Sequence, residues 1–298
     1  MAGDHDQLRA LAFKIAYRML GSVAEAEDVV QEALLRLHDR PALQNEEAFL
    51  TTATTRLSID VLRSARVRRE TYVGEWLPEP LVADEAPQLA QDADEISLAM
   101  LVLLERLAPD ERAVFVLREA FDMPFAEIGE IIDASPDACR QRLSRARRRI
   151  EKDLPRFDAD PAERHALAHS FLRAAREGDF AGLVALLAPD AVLVGDGGGK
   201  ARSIPAPMIG GQAVARALAT FYKLADAAGV VLVPAVVNGQ PGFRSLDAQG
   251  RIINVVQVDV ADGRVQRVHS ILNPDKLRHV GLVSDLGLRP SAKMAKPR

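Results

Sequence analysis

A chain of 298 residues, 48% of them apolar, is long enough for more than one domain and has the apolar content of ordinary globular protein. It carries a formal charge of -4, its lone Cys139 rules out an internal disulfide, and no apolar run approaches the ~20 residues needed to cross a bilayer. With acids in MAGDHDQLRA where a signal peptide would be positive, these features predict a protein of the reducing cytoplasm and no membrane partner.

The charge is unevenly spread, -9 over residues 1–155 and +5 over 156–298. The first half reads as helices. In SVAEAEDVVQEALLRLH, Ser22 is placed as an N-cap and Ala26, Val30, Ala33, Leu34 and Leu37 form one apolar stripe. The opposite face holds Asp28, Gln31, Glu32 and Leu35. A charged patch with Leu at its centre exceeds what solvation needs, so a protein contact is expected there, against the alternative of a plain surface helix. The next helix, AFLTTATTRLSIDVLRSARVRRE, is expected to pack Leu57, Val61 and Ser64 or Ala65 inward. It closes on the basic run Arg56, Arg63, Arg66, Arg68 and Arg69. Its four threonines, Thr51, Thr52, Thr54 and Thr55, are poor core formers, and their hydroxyls suit phosphates or unpaired bases.

From Glu75 to Glu95 the chain has seven acids, three prolines and no Lys or Arg, the pattern of a loop or weakly structured linker. Trp76, the only tryptophan, sits between acids there and is expected to anchor the loop in a pocket.

Beyond the linker, FAEIGEIIDAS places Phe125, Ile128, Ile131 and Ile132 at helical spacing, and a short turn leads into a basic helix. Ser135 caps that helix, Pro136 opens it, and Cys139, Leu143, Ala146 and Ile150 form its core stripe. Seven Lys and Arg fall between Arg140 and Lys152. Gln141, Ser144, Arg145 and Arg148 face outward, flanked by Arg140 and Arg147 on one side and Arg142 and Arg149 on the other, with few acids at i±4 to neutralise them. An apolar helix, a tight turn and a basic helix match the helix-turn-helix plan, whose second helix enters a DNA major groove. The alternative is a solvated basic helix.

The second half opens with a helical stretch, PAERHALAHSFLRAAREGDFAGLVALL. Short β-rich runs follow, divided by NGQPG, AQG and ADG turns, which together predict an α+β domain. Asp196, Tyr222, Asp259 and His269 are candidates for acid–base chemistry on a small ligand, although no nucleophile–base pair or metal-ligand spacing is visible and His269 reads more readily as a core residue. In DGGGK, residues 196–200, the glycines form a flexible loop whose end groups, Asp196 and Lys200, are placed to grip another segment. The opposed charges of the two halves point to the acidic linker as that segment.

EDVVQEALLRL, then AFL and RLSIDVLRSAR, then a linker, then ERAVFVLREAFDMPFAEIGEII and RQRLSRARRRI, taken in that order, resemble an extracytoplasmic-function sigma factor of bacterial RNA polymerase. WLPEP (Trp76, Leu77, Pro78, Glu79, Pro80), DGGGK (Asp196, Gly197, Gly198, Gly199, Lys200) and NPDKL (Asn273, Pro274, Asp275, Lys276, Leu277) resemble the signatures of the subgroup with a SnoaL-like extension at the C-terminus. The resemblance implies that Asp28, Gln31, Glu32 and Leu35 dock on core RNA polymerase. It also makes the extension a regulator of the sigma core through the linker. Because single-stranded bases can be held by charge and pockets, Arg56, Asp60 and Arg63 are expected near the separated strand of promoter DNA. For Asp60, an intrahelical pair with Arg56 or Arg63 is the alternative. Arg56 and Ala138-Cys139 depart from the residues many members carry, so no base preference is carried over.

The expected architecture is multidomain: two all-α sigma domains, a helical bundle over 1–70 and a helix-turn-helix domain over 96–154, followed by an α+β SnoaL-like cone over 160–282. Residues 71–95 form the linker between the sigma domains, and 283–298 a flexible tail. The expected function is promoter recognition for core polymerase, with no enzymatic activity, cofactor or metal. The alternative is a DNA-binding transcriptional regulator whose final domain is an enzyme or a sensor holding an unknown small-molecule ligand in its cone.

Overall fold

The computed structural model describes residues 2–40, 43, 45–69, 72–84, 96–151 and 161–289, without the side chains of 2–4, 65–69, 84 and 161. The chain divides into two units, Met1–Thr71 with Met100–Leu154, and Tyr72–Ala99 with Pro155–Arg298.

The first unit begins with three mutually packed helices, α1 (Ala2–Leu20), α2 (Val23–His38) and α3 (Glu46–Arg69). Gly21, at φ +64°, turns the chain out of α1 so that Ser22 can cap α2, accepting from Glu25 N at 3.2 Å. Ala26, Val30 and Ala33 are buried as the periodicity requires, whereas Leu34 and Leu37 are only half-buried.

The inner face of α3 is rotated from the expected one. Leu50, Thr51, Ala53, Thr54, Thr55, Ser58, Ile59 and Leu62 are buried, while Leu57 and Val61 are half-buried and Ser64 is exposed. Three of the four threonines are therefore core, not nucleic-acid contacts. Ser58 returns its hydroxyl to Thr54 O at 2.8 Å and Thr52 to Ala48 O at 2.9 Å, the local bonding by which hydroxylic side chains satisfy themselves within a helix.

Four shorter helices follow: α4 (Leu98–Leu104), α5 (Pro109–Phe121), α6 (Phe125–Ile132) and α7 (Pro136–Ile150). Val114, Leu117, Ile128, Ile131, Cys139 and Leu143 form one core across α5, α6 and α7. Burial of such a side chain contributes about 1.5–3 kcal/mol, enough to fix the pairing of short helices. Arg112 on α5 is buried and donates to Met19 O at 2.7 Å, capping α1, and to Glu105 at 2.9 Å. Burial pulls its guanidinium down to about 9.

The second unit is built on one seven-stranded sheet ordered β1-β4-β5-β6-β7-β2-β3. Its strands are β1 (Val82–Asp84), β2 (Leu187–Asp196), β3 (Met208–Ile209), β4 (Val231–Val237), β5 (Gln240–Leu246), β6 (Ile252–Ala261) and β7 (Arg264–Ile271), with β2 and β7 parallel and every other pair antiparallel. Helices α8 (Pro161–Glu177), α9 (Phe180–Leu186) and α10 (Gly211–Ala227) supply, with the sheet, a core that includes Phe171, Leu183, Leu218, Phe243, Val256 and Val268. Asn238-Gly239 and Asp262-Gly263 both have positive φ at both positions, the two-residue hairpin turn that joins β4 to β5 and β6 to β7.

Two segments expected to be loose are held in this unit. Residues 82–84 of the linker form the edge strand β1, paired with 235–237 of β4. The tail expected from 283 onward is bonded as far as 289: Ser284 donates to Asp247 at 2.6 Å, and Val283 and Leu288 bridge Ile252 and Ala201. Residues 85–95 and 290–298 lie outside the described residues.

Candidate functional site

On α2, Asp28, Gln31, Glu32 and Leu35 are all exposed on one face, with Leu35 59% exposed. Glu32 pairs with Arg36 at 2.9 Å. Cap and core fix the helix, and what remains outside is an apolar side chain ringed by acids.

The helix-turn-helix is closed by glycine. Gly129 lies where an added Cβ would come within 2.4 Å of Ala134 O, and Asp133 turns the chain at φ +52°. Ser135 then caps α7, accepting from Ala138 N at 3.2 Å. Gln141, Ser144, Arg145 and Arg148 point outward with Arg140, Arg147 and Arg149 beside them, and Arg142 is half-buried. The expectation that these arginines lack acid partners is corrected: the partners come from neighbouring helix α5, which an i±4 search along α7 does not reach. Glu111 accepts from Arg145 at 3.4 Å and from Arg149 at 2.9 Å, Glu119 pairs with Arg147 at 2.7 Å, and Asp110 lies 3.7 Å from Arg142. Arg140 pairs with Asp137 and lies over the Phe125 ring at 5.5 Å. Arg148 bonds Ser144 O at 3.3 Å, and no acid partner is found for it among the described residues.

On α3, Arg56, Asp60 and Arg63 are exposed, but all three are engaged within the unit. Arg56 donates to Ile131 O at 2.8 Å and Glu130 O at 3.0 Å and lies 3.8 Å from Asp133, so its charge caps the C-terminus of α6. Arg63 meets Asp110 at 3.2 Å and Asp60 at 3.7 Å. The backbone at Arg66, Arg68 and Arg69 is helical; their side chains lie outside the described residues.

In the second unit the three pentapeptides meet around Asp196, which is fully buried. One carboxylate oxygen accepts from the Tyr72 hydroxyl at 2.5 Å and Gly198 N at 3.0 Å; the other accepts from Leu77 N at 2.9 Å and Lys276 Nζ at 2.7 Å. Lys276 is itself buried, donates to Leu77 O, and lies over the rings of Trp76 at 4.1 Å and Tyr72 at 5.0 Å. Asn273 donates to the Tyr72 hydroxyl at 2.8 Å and His279 meets Pro80 O at 2.8 Å. Leu77, Pro78, Glu79 and Pro80 are buried and Trp76 is half-buried. Burial, then the bond to Asp196, pushes the Tyr72 phenol well above its usual range, so it stays a donor. Gly198, at φ +55°, leaves room for Asn273, whose Nδ2 would stand 2.3 Å from a Cβ there, and Leu277 is fully buried. Across β1, Leu81 N donates to Asn238 at 3.0 Å.

Two expectations about this cluster are corrected. Lys200 does not grip the linker; it pairs with Asp275 at the exposed edge of the same domain. Nor does Asp196 meet the linker through opposite charge: its ion-pair partner, Lys276, belongs to the cone, and the linker groups that bond it are neutral. A charge count cannot detect a peptide N–H and a phenol completing a buried ion pair. Tyr72, next to WLPEP, was missed, and nothing in its sequence context marks it.

The four acid–base candidates are not brought together. Tyr222 lines a cavity with Gly195, Val256 and Ser270, while Asp196 and His269 are their alternate neighbours on β2 and β7 and so project from the other face of the sheet. There His269 meets Asp259 at 3.0 Å, and Gln257 donates to Asp259 at 2.8 Å, in full burial. Among the described residues no group of His, Cys, Asp and Glu is arranged to hold a metal ion, and no helix is long and apolar enough to cross a membrane.

Residues 5–68 match the family described as Sigma-70 region 2, and residues 97–150 match Sigma-70, region 4. The chain is 38% identical over 288 residues to the ECF RNA polymerase sigma factor SigJ of Mycobacterium tuberculosis, covering 92% of each. It is 31% identical to the probable ECF RNA polymerase sigma factor SigI of the same organism, over 90% of this chain and 92% of that one. The crystal structure of M. tuberculosis SigJ superposes with a TM-score of 0.75 at 34% identity, over 93% of this chain and 98% of that one. With both sigma regions in order, and relatives matching through the α+β domain to nearly full length, this chain belongs to the extracytoplasmic-function RNA polymerase sigma factors.

Proposed function

We propose that the chain brings core RNA polymerase to promoters through three surfaces of its first unit, and that the α+β domain regulates it by holding the linker. The face Asp28, Gln31, Glu32 and Leu35 docks on core polymerase. Gln141, on the first turns of α7, reads a base edge, and Ser144, Arg140, Arg145, Arg147 and Arg148 meet phosphates. Arg56, Asp60, Arg63, Arg66, Arg68 and Arg69 follow the separated strand. For Arg56 the α6 carbonyls occupy Nε and Nη2, which leaves Nη1 of the half-exposed guanidinium to reach the strand.

The observation that carries the regulatory part is the burial of Asp196 at the meeting of WLPEP, DGGGK and NPDKL. A side chain with no exposure, bonded to linker and cone alike, makes linker position a property of the cone. The domain acts by contact, with no chemistry of its own; the separation of Tyr222 from Asp196, Asp259 and His269 supports this. Promoter recognition takes place in the cytoplasm, where core polymerase and DNA are.

Run-off transcription and co-purification with core polymerase test the docking surface. The double variant Asp28→Lys, Glu32→Lys is expected to lose both while keeping its circular-dichroism spectrum, since both positions are exposed. Wild-type levels of co-purification would reduce the patch to a solvated face.

A further inference from the structure

Between α10 and the sheet lies a cavity of about 750 Å³, within the range of small-molecule sites. Its walls are mostly apolar, from Leu193, Met208, Leu218, Val256 and Val268. Asn254 interrupts them. It is 1% exposed, its Nδ2 donates to Ser270 Oγ at 3.0 Å, and its Oδ1 has no hydrogen-bond partner. Turning the amide over changes which atom is unpaired without pairing both. Ser203 lines the same space, and its buried Oγ is likewise without a hydrogen-bond partner among the described residues. Buried polar atoms are seldom left unpaired, so groups of this kind in an apolar wall mark where a ligand's polar atom sits.

The rim has the opposite character. Arg202 and Arg216 border the cavity with exposed side chains and no acid partner among the described residues, unlike most of the arginines on α7. Phe221 and Leu224, 41% and 68% exposed, continue the apolar lining outward. Arg202 is also held in place, its N–H donating to Gly287 O at 2.8 Å.

We infer that this cavity binds a small amphipathic hydroxy carboxylate. The acid sits between Arg202 and Arg216, which favour a planar anion, and the carbon skeleton fills the cavity. A hydroxyl at the far end reaches Asn254, where it can donate or accept and so serves either orientation of the amide. The site binds without reacting, since Asp196, Asp259 and His269 lie across the sheet from it. The inference goes beyond the promoter-recognition reading and does not rest on it; the assay below is direct binding, so its outcome and that of a transcription assay are independent.

The full-length protein is titrated calorimetrically with 10-hydroxydecanoate and with decane-1,10-diol, which has the same chain without the charge. One molecule of the acid is expected to bind per chain, about tenfold more tightly than the diol, as two partly exposed charge pairs would give. Arg202→Gln with Arg216→Gln should erase that difference while leaving diol binding intact. Ala217→Phe, which fills the cavity from α10, should abolish both, with thermal unfolding recorded to show that each variant is folded. The inference fails if neither probe binds folded wild-type protein at millimolar concentration. It also fails if the acid binds equally well to the folded Arg and Ala217→Phe variants, which would place it on the exposed Phe221–Leu224 surface.

Discussion

The α7 face and the Asp196 cluster both consist of charges held by opposite charges, yet physically they are opposites. Arg145, Arg147 and Arg149 are each at least half exposed where they meet Glu111, itself 12% exposed, and Glu119, whereas Asp196 and Lys276 meet in near-complete burial with linker groups among the carboxylate's remaining donors. A pair whose arginine stands in solvent lies near the exposed limit of about 0–1 kcal/mol and is screened by salt. Its arginine can therefore exchange a carboxylate for a phosphate at little cost. A buried pair cannot be opened cheaply, because each partner is left charged in a poorly solvating environment. The first kind of pairing suits a surface that changes partner, the second a joint that keeps one.

The largest effect should come from breaking the joint. Asp196→Ala strands the Lys276 ammonium and unpairs Tyr72 and Leu77 N–H, and is expected to cost about 3–5 kcal/mol in the second unit. Urea unfolding followed by Trp76 fluorescence measures it, and a loss under 1 kcal/mol, on the scale of an exposed pair, would erase the contrast. Next comes the turn that aims α7. Gly129→Ala sets a Cβ against Ala134 O, and overpacking of this kind costs about 1–3 kcal/mol, with a loss of promoter-fragment binding visible by fluorescence anisotropy.

The sequence revealed these two regions to different depths. The helix-turn-helix was legible because its signals are local: a Ser-Pro cap, a stripe of Cys139, Leu143, Ala146 and Ile150, and arginines opposite. The acids facing those arginines were not, because α5 approaches α7 only in the folded unit. On α3 the periodicity was misread by part of a turn, since Thr51, Thr54 and Thr55 are buried yet look polar in sequence. Around Asp196, the pentapeptides were visible as motifs and the fold class of their domain was visible from its turns. Which lysine reached the carboxylate was not: Lys200 sits beside Asp196 in sequence, but Lys276 is carried to it by the turn after β7. That linker residues 82–84 would extend the sheet was also hidden, for a three-residue edge strand has no periodicity to read.

The smallest effect sharpens the other side of the comparison. Glu111→Gln loosens Arg145 and Arg149 and removes a negative charge from beside the α7 arginines. Stability should fall by about 1 kcal/mol or less while affinity for promoter DNA rises a few-fold at low salt, the gain shrinking as salt increases. Weaker DNA binding in a folded Glu111→Gln variant would mean that Glu111 positions the arginines instead of holding them in reserve.

That the cone controls the sigma core through the linker is tested most directly by run-off transcription with core polymerase. Wild type, Lys276→Met and Lys200→Ala are compared, with Trp76 emission recorded on the same samples. Lys276→Met removes the cation that lies 4.1 Å over the Trp76 ring and bridges Leu77 to Asp196; Lys200→Ala removes only an exposed pair. The account predicts that Lys276→Met shifts Trp76 emission and changes transcription by about fivefold or more, the lower range of coupling between sites, while Lys200→Ala leaves both unchanged. Wild-type transcription by Lys276→Met, in a sample whose Trp76 emission shows the linker released, would contradict it.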